Sequence, residues 1–344
     1  MKLLSHSNGL YKLDKEKVSK IKILKRCAIF LVGLLAIGFL IQSIGNLIDN
    51  SKLKSRFKYV RLDGKKIEYK LKGSGEYTII FDGSIGTNLY EWDKVSKILE
   101  EEDKVSTFVY NRRGYGFNDG GARLSPEEQA KQLKLLLRKA GAAEPYILVG
   151  EEYGSLISTN FANLYPESVA GVVLVNPINE SDLFQKETNK QILIPYLRSQ
   201  IEYAGSNVSL TSLLDKMNLT LNNSTFINSL SGSELEEFNS FKNRKNYTEA
   251  VKNEIENLYK NTSNSQSDGL LSKKPLYIIS NNESEPLMKL GNSEISTLYV
   301  ETVEEEPFAV VDPDSVVNGI NTVIKQAKKI GKKFLNSKNL LSCV

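Results

Sequence analysis

The chain has 344 residues, of which 25% are charged and 40% are hydrophobic, a composition typical of globular proteins. The formal net charge is +4, but residues 1–26 contribute +6, with eight Lys or Arg against two Asp or Glu, so the remainder carries −2. Nucleic-acid binding needs a basic patch on the folded domain itself, and this distribution argues against it. The frequent Lys, Asn and Ile residues are typical of a low-GC bacterial genome.

Cysteine and histidine are scarce. Cys27 and Cys343 are the two cysteines, and neither has the spacing of a metal ligand. His6 is the only histidine, and it lies in the N-terminal tail. The sequence therefore predicts neither a metal site nor a cofactor.

A membrane segment is predicted near the N-terminus. Residues 27–48 contain no charge, and at helical rise they span about 30 Å, one bilayer core. The 26-residue leader before them favours an uncleaved anchor, although a cleaved signal peptide is the competing interpretation. Seven Lys or Arg in residues 12–26, against five in residues 50–64, predict a cytoplasmic N-terminus and a folded domain outside the cell membrane.

Strand and helix patterns alternate after a short linker. FKYVRL and KIEYKLK flank Asp63-Gly64, which predicts a hairpin. TIIFDG and VSTFVY are apolar strands on either side of a helical pattern over residues 88–100. Ser125-Pro126 starts another helix, with Glu127 and Glu128 in its first turn. YILVG, a helix to Tyr165 and then GVVLV follow.

The rest of the chain divides into an insertion and a return to the sheet. The segment from Asp182 to about Asp268 has helical stretches and no clear strand, whereas PLYIIS and STLYV are strand-like, and Asp312-Pro313 begins a long helix. Alternating strands and helices predict an α/β fold with a mostly parallel central sheet covered on both faces. The predicted divisions are a basic tail (1–26), a transmembrane anchor (27–48), a linker (49–56), the α/β core (57–180 and 269–335), a helical cap (181–268) and a C-terminal tail (336–344).

Three stretches, in the same order, resemble the α/β-hydrolase fold family. IIFDGSIGTNLYEW is similar to the family's third strand and oxyanion loop, and VYNRRGYGFND to the loop after its fourth strand. ILVGEEYGSLISTNFANLYPESVAGVVLVNP is similar to its nucleophile elbow, with the following helix and strand. The resemblance covers roughly residues 57–335 and implies an α/β-hydrolase fold with a cap.

The catalytic positions that this resemblance implies hold other residues. The elbow, Gly-x-Ser-x-Gly in the family, has Glu152 at its centre, between Gly150 and Gly154. The histidine position corresponds to Glu306, and the acid position falls at Asn176 or in the loop of residues 281–283, where Glu283 is the only acid. Backbone N–H groups of Tyr153 and of Ser84 or Ile85 would form the oxyanion hole.

Three functions remain open. Loss of serine and histidine favours an inactive pseudo-hydrolase, in which Glu151, Glu152 and the Glu304–Glu306 loop attract a cationic ligand such as Ca²⁺, or simply pair with Arg112 or Arg113. A binding role for Arg113 beside these glutamates is part of this prediction. The alternative is a hydrolase of small esters or amides with Glu-based chemistry, since carboxylate nucleophiles exist on this fold. A cleft filled by side chains such as Tyr153 would instead favour a purely structural protein.

Overall fold

A computed structural model describes residues 20–52, 57–101, 105–283 and 285–341. The first 19 residues with His6, part of the predicted linker (53–56) and the last three residues with Cys343 lie outside the described residues. The first described element is helix α1 (Lys20–Lys52). Its segment Lys20–Ile44 is long and apolar enough to cross a membrane, a property that a signal sequence near the N-terminus shares.

The body is built on one sheet of eight strands. The strands are β1 (Lys58–Leu62), β2 (Lys65–Gly73), β3 (Thr78–Asp82), β4 (Ser106–Tyr110), β5 (Tyr146–Glu151), β6 (Val169–Val175), β7 (Leu276–Ser280) and β8 (Ser296–Val300). Their order across the sheet is β1-β2-β4-β3-β5-β6-β7-β8, with β3 to β8 parallel and the first two strands antiparallel. The predicted mostly parallel sheet is confirmed.

Local sequence signals explain where several elements begin. Asp63 and Gly64 both have positive φ, as the tight turn between β1 and β2 requires. Ser125 accepts a hydrogen bond from the backbone of Glu128, whose side chain bonds back to Ser125, and Pro126 follows the cap. The predicted hairpin and the predicted helix start are therefore confirmed.

Helices cover both faces of the sheet, which is why the central strands are almost wholly buried. One face carries α2 (Asp93–Glu101) and the C-terminal helix, and the other carries α3 (Pro126–Ala140) and α4 (Tyr153–Leu164). The body therefore has two apolar cores, one on each side of the sheet.

The predicted helical insertion lies between β6 and β7. Its helices are α5 (Lys186–Gly205), α6 (Leu210–Lys216), α7 (Ser224–Ser229), α8 (Gly232–Phe241) and α9 (Lys245–Tyr259). Helices α5 and α9 pack against each other, with Tyr196 stacked on Tyr259 at 4.5 Å between ring centroids. After β8 come α10 (Phe308–Val311) and α11 (Pro313–Leu341).

Three predicted boundaries differ from the structure. The first turn of the helix predicted over residues 88–100 is a 3₁₀ turn (Leu89–Trp92), capped by Asn88. Residues 49–52, predicted as linker, continue α1, and α11 runs on to Leu341 inside the predicted C-terminal tail. Neither stretch contains a proline, so nothing in the backbone stops the helix at the predicted residue.

Candidate functional site

Glu152 occupies the tip of a sharp turn between β5 and α4. Its backbone has φ 48° and ψ −111°, a conformation that residues with a Cβ rarely adopt. The Glu152 N–H donates to the carbonyl of Val175 on the neighbouring strand, which holds the turn in place. The strained turn therefore lifts the Glu152 side chain above the carboxyl edge of the sheet.

The glycines of this turn are needed for close packing. A Cβ on Gly154 would lie 2.1 Å from the carbonyl oxygen of Asp82, and one on Gly150 would lie 2.5 Å from that of Gly154. Helix α4 can approach β3 and β5 only because both positions lack a side chain. The presence of both glycines therefore needs no catalytic explanation.

Carboxyl groups of the chain itself occupy two of the backbone donors predicted for an oxyanion hole, those of Ser84 and Ile85. The N–H of Ile85 donates to Glu152 Oε2 at 2.8 Å, and the N–H of Ser84 donates to Glu91 Oε2 at 3.0 Å. Glu91 also accepts hydrogen bonds from the hydroxyls of Ser84 and Thr87. A transient oxyanion would have to displace a side-chain carboxyl group at either donor.

Glu91 and Glu151 form a buried carboxyl pair beneath the turn. Both side chains are almost completely buried, and Glu151 accepts from the backbone N–H groups of Phe308 and Ala309. Burial raises the pKa of both carboxyls, and the charge of Glu91 pushes the pKa of Glu151 further up. Both carboxyls are therefore harder to ionise than they would be in water.

Glu306 lies on the pocket side of Glu152. Burial raises the pKa of Glu152 to about 7, an effect that the Ile85 hydrogen bond opposes and the charge of Glu306 reinforces. Burial also raises the pKa of Glu306, while a hydrogen bond with the side chain of Asn176 partly offsets it. The three positions implied by the family resemblance are thus together, as two carboxyls and one amide.

A pocket of about 410 Å³ opens above Glu152. Its polar lining includes Glu152 and Glu306 at one end and the amide side chains of Gln191, Asn222 and Asn223. The remaining wall is mostly apolar, and its side chains come from the oxyanion loop and from the cap: Ile85, Ile192, Pro195, Leu221, Val251, Ile255 and Leu258. No Lys or Arg is among the described residues that line it.

Tyr153 does not fill this pocket. Its ring is completely buried beneath the turn, and its hydroxyl accepts hydrogen bonds from Gln129 and Asn257, each at 2.8 Å. A purely structural protein would have this cleft closed by side chains, whereas the pocket above Glu152 is open.

The two arginines of the loop after β4 do not pair with the elbow glutamates. Arg112 is buried and binds Asp82 and Glu254, with N–O distances of 2.6 and 2.7 Å. Arg113 lies beside Gly121 and lines a different, smaller pocket. The expected pairing of either arginine with Glu151 or Glu152 is wrong, because Asp82 and Glu254 already enclose the inward-pointing guanidinium.

Glu283 is not part of the site either. It is exposed in the loop after β7 and is absent from the pocket lining. The acid position is instead occupied by Asn176, directly after β6, whose φ of 41° turns the chain toward Glu306. Among the described residues, no group of three or more His, Cys, Asp or Glu is arranged to hold a metal ion.

Sequence reasoning missed two buried charged groups. Glu91 is a single acid between Tyr90 and Trp92 in an otherwise amphipathic helical pattern, and it is buried. Its position between two aromatic residues is the sequence feature that could have indicated this burial. Glu254 lies on α9, more than a hundred residues from Arg112, and nothing local in the sequence indicates that the two meet.

The sequence profile of the α/β-hydrolase fold matches residues 77–297. The chain belongs to the α/β-hydrolase fold family. Two Bacillus subtilis (strain 168) proteins are similar to parts of it: YqjL, 31% identical over 31% of this chain and 42% of its own length, and YbdG, 28% identical over 36% and 38%. Each match therefore spans less than half of the relative.

Solved structures with the same fold cover most of the chain. One is a proposed acyltransferase from Salmonella enterica, with 14% identity, a TM-score of 0.58 and coverage of 79% of this chain and 95% of that one. Another is a proposed epoxide hydrolase from Pseudomonas aeruginosa, with 13% identity, a TM-score of 0.59 and coverage of 81% and 98%. At such identities the likeness shows the fold and leaves the chemistry open.

Proposed function

We propose that this chain is a membrane-anchored, catalytically inactive member of the α/β-hydrolase fold family that binds a small amphiphilic ligand with a cationic head group. The observation that carries the proposal is the hydrogen bond from the Ile85 N–H to Glu152. An enzyme of this fold keeps such a donor free for charge that develops in a transition state. Here the carboxyl group of Glu152 already accepts a hydrogen bond from this donor.

The lining of the pocket supports the ligand class. Glu152 and Glu306 place two carboxyls at one end, and no basic side chain among the described lining residues neutralises them. An ammonium group can donate hydrogen bonds to both carboxyls, and an alkyl or aryl body can contact Ile192, Val251 and Ile255. An organic cation fits better than a metal ion, which would need more carboxylate ligands than the pocket wall supplies.

The membrane anchor is the second part of the proposal. Helix α1 supplies a segment of adequate length and hydropathy, and the excess of Lys and Arg before it favours a cytoplasmic N-terminus. The folded body with its pocket would then face the outside of the cell membrane.

A carboxylate-based hydrolase is the second candidate, and one observation favours it. Burial raises the pKa of Glu152 to about 7, and Glu306 lies beside it. A carboxyl poised near neutral pH can act as a general acid or base. In that reaction Glu152 would attack or protonate the substrate, and Glu306 would activate water.

Hydrolysis assays separate the two candidates. The full-length chain in detergent micelles is offered p-nitrophenyl acetate, p-nitrophenyl butyrate, an anilide and styrene oxide, the last because similar folds include proposed epoxide hydrolases. We expect rates no higher than those of Glu152→Gln and of buffer. Turnover by the wild type that Glu152→Gln lacks would establish the hydrolase instead.

Binding is tested by calorimetry on the full-length chain in lipid nanodiscs, with empty nanodiscs as the blank. The probe is hexylammonium, and the matched neutral probe is 1-hexanol. We expect hexylammonium to bind more tightly than hexanol, and Glu152→Gln to lose about 2 kcal/mol, or roughly thirtyfold in affinity, the range for a charge-assisted hydrogen bond. Equal affinity for both probes would exclude a cation-selective pocket.

A further inference from the structure

The cap carries a stripe of exposed apolar side chains, here termed the cap face. It consists of Ile194, Leu197 and Ile201 on α5, Leu210 and Leu213 on α6, Met217 at the C-terminal cap of α6, and Leu219 two residues further on. Each of these side chains is between 40% and 65% exposed. On both helices the positions recur three or four residues apart, so they lie along one side of each helix.

The rest of the described body shows nothing comparable. Its other exposed large apolar residues are few and form no repeating helical face: Tyr59 on β1, Leu135 on α3, Phe184 just before α5, Leu193 on α5, and the adjacent Tyr299 and Val300 on β8. Single exposed apolar residues are ordinary, whereas a contiguous apolar patch marks a surface that contacts a partner or a membrane.

Helix α1 shows which partner the cap face meets. The loop between α5 and α6 contacts α1 directly, because the hydroxyl of Ser209 donates to the carbonyl of Gly38 at 2.9 Å and lies 3.1 Å from Gln42 Oε1. Gly38 is buried there, whereas its neighbours on α1 are exposed. Gly38 lies about one turn inside the end of the continuous apolar run Ala28–Ile41, which Gln42 terminates.

This contact fixes the depth of the cap relative to the anchor. Gly38 is six residues, about 9 Å at helical rise, before the end of the candidate span Lys20–Ile44. If α1 crosses the bilayer, the loop at Ser209 therefore lies roughly that far inside the hydrocarbon layer, and α5 and α6 extend from it. Helices at that depth bury an apolar face about 5–10 Å into the interface. The same helices carry two exposed basic residues, Lys190 and Lys216, whose long side chains can reach the lipid phosphates while the helices lie below them.

We infer that the cap face inserts into the membrane leaflet beside α1, so that the cap is a second, interfacial membrane contact of this chain. The inference rests on the proposed membrane anchor. Helix α5 then separates the bilayer from the pocket, since Ile192 and Pro195 line the pocket while Ile194 and Leu197 belong to the cap face. The pocket entrance therefore lies close to the lipid surface, where an amphiphilic ligand would be concentrated.

The test measures contact with lipid at single positions. Cys27 and Cys343 are changed to Ser, and single cysteines replace Leu197 or Leu213 of the cap face, Leu135 on α3 as an exposed apolar control, or Leu34 on α1 as a marker of the anchor. Each full-length variant carries an NBD fluorophore and is reconstituted into phosphatidylcholine vesicles with or without lipids brominated on their acyl chains. Bromine quenches NBD only at contact distance.

We expect several-fold quenching at Leu34, Leu197 and Leu213, and none at Leu135. Quenching at Leu34 without quenching at Leu197 and Leu213 overturns the inference and leaves the anchor in place. Absence of quenching at all four positions overturns the anchor itself. Cross-linking between the Leu213→Cys copies of two molecules, without quenching, would assign the cap face to a second copy of the chain and also overturns the inference.

Discussion

The decisive feature at the scale of single residues is a carboxyl in the place of a nucleophile. Glu152 takes the hydrogen bond that an oxyanion would need, and its burial costs free energy when it ionises. Both facts bear on which charge a ligand must carry to gain affinity from Glu152. A neutral ligand gains an ordinary hydrogen bond from Glu152 and an anionic ligand is repelled by its ionised form, whereas a cation offsets the free energy that burial of the ionised carboxylate costs.

The pH dependence of stability should report the state of Glu152. Burial raises its pKa from 4.5 to about 7, so between these values the folded chain holds a proton that the unfolded chain has released. Stability therefore falls as the pH rises through this window. We expect the wild type to lose about 2 kcal/mol more than Glu152→Gln between pH 5 and pH 8, as measured by denaturant unfolding.

Because Glu91, Glu151 and Asp82 are present in both proteins, only the difference between the two curves isolates Glu152. Parallel curves would show that Glu152 ionises with an ordinary pKa. In that case Glu152 would be mostly ionised already at pH 5, and cation binding would not depend on pH near 7.

Arg112 is the residue on which the carboxyl edge of the sheet depends. It binds Asp82 and Glu254 and also donates to the carbonyls of Gly83 and Ser84, the start of the oxyanion loop. Arg112→Met leaves two buried carboxylates without a cationic partner, although Tyr110 and Tyr115 still donate a hydrogen bond to each. We expect a loss of about 3–5 kcal/mol in unfolding free energy. The control is Lys190→Met, which breaks an exposed ion pair with Glu187 and should leave the unfolding free energy nearly unchanged. Both free energies are measured by denaturant unfolding. Similar effects of both changes would contradict a supporting role for Arg112.

The sequence identified part of this site because part of it is local. The elbow glycines and Glu152 lie within five consecutive residues, and Glu306 follows from its distance to Pro313, so each could be predicted by counting. The pairing of Arg112 with Glu254, and of Glu91 with Glu151, depends on how the cap and the oxyanion loop fold over the sheet. No periodicity in the sequence encodes those contacts.

At the scale of elements, the elbow is a packing device. The absent side chain of Gly154 lets α4 contact β3, and a Cβ there would meet the backbone of Asp82. Gly154→Ala should therefore cost about 1–3 kcal/mol, as overpacking does, measured by denaturant unfolding. Gly331→Ala is the matched control, since Gly331 is also helical and a Cβ there meets nothing within 4 Å.

Because alanine has the higher helix propensity, Gly331→Ala should stabilise α11 by a few tenths of a kcal/mol or more. If Gly154→Ala were equally neutral or stabilising, the close approach of α4 to β3 would be wrong. The position of Glu152 above the sheet depends on that approach, so it would then be wrong as well.

The two apolar faces of helix α5 could not be told apart from the sequence pattern alone. Its apolar residues occupy two faces, one in the pocket wall and one on the outside, so the periodicity that marks a singly buried helix is weak. The sequence predicted helix for this region but gave no reason to separate the two faces. That separation appears only once α9 is seen to pack against one of them.

At the scale of the whole molecule, the relation between α1 and the cap would set the orientation of the body on a membrane that α1 crosses, as proposed above. Gly38 is the contact point, and a Cβ there would lie 2.1 Å from the carbonyl oxygen of Val208. A methyl group at this position must therefore push α1 away from the loop between α5 and α6. Gly33, more than one turn earlier on α1, provides a matched control, because a Cβ there would meet nothing within 4 Å.

We expect the pair Gln42→Cys and Ser209→Cys, in a background without the native cysteines, to be joined readily by a short bifunctional thiosulfonate reagent in the full-length chain in nanodiscs, since the native side chains are in hydrogen-bond contact. Adding Gly38→Ala should slow this reaction several-fold, and adding Gly33→Ala should not change it. The readout is the rate of cross-linking on a non-reducing gel. Equal rates in both glycine variants would mean that α1 and the cap move independently, so that the anchor tethers the body to the membrane without setting its orientation.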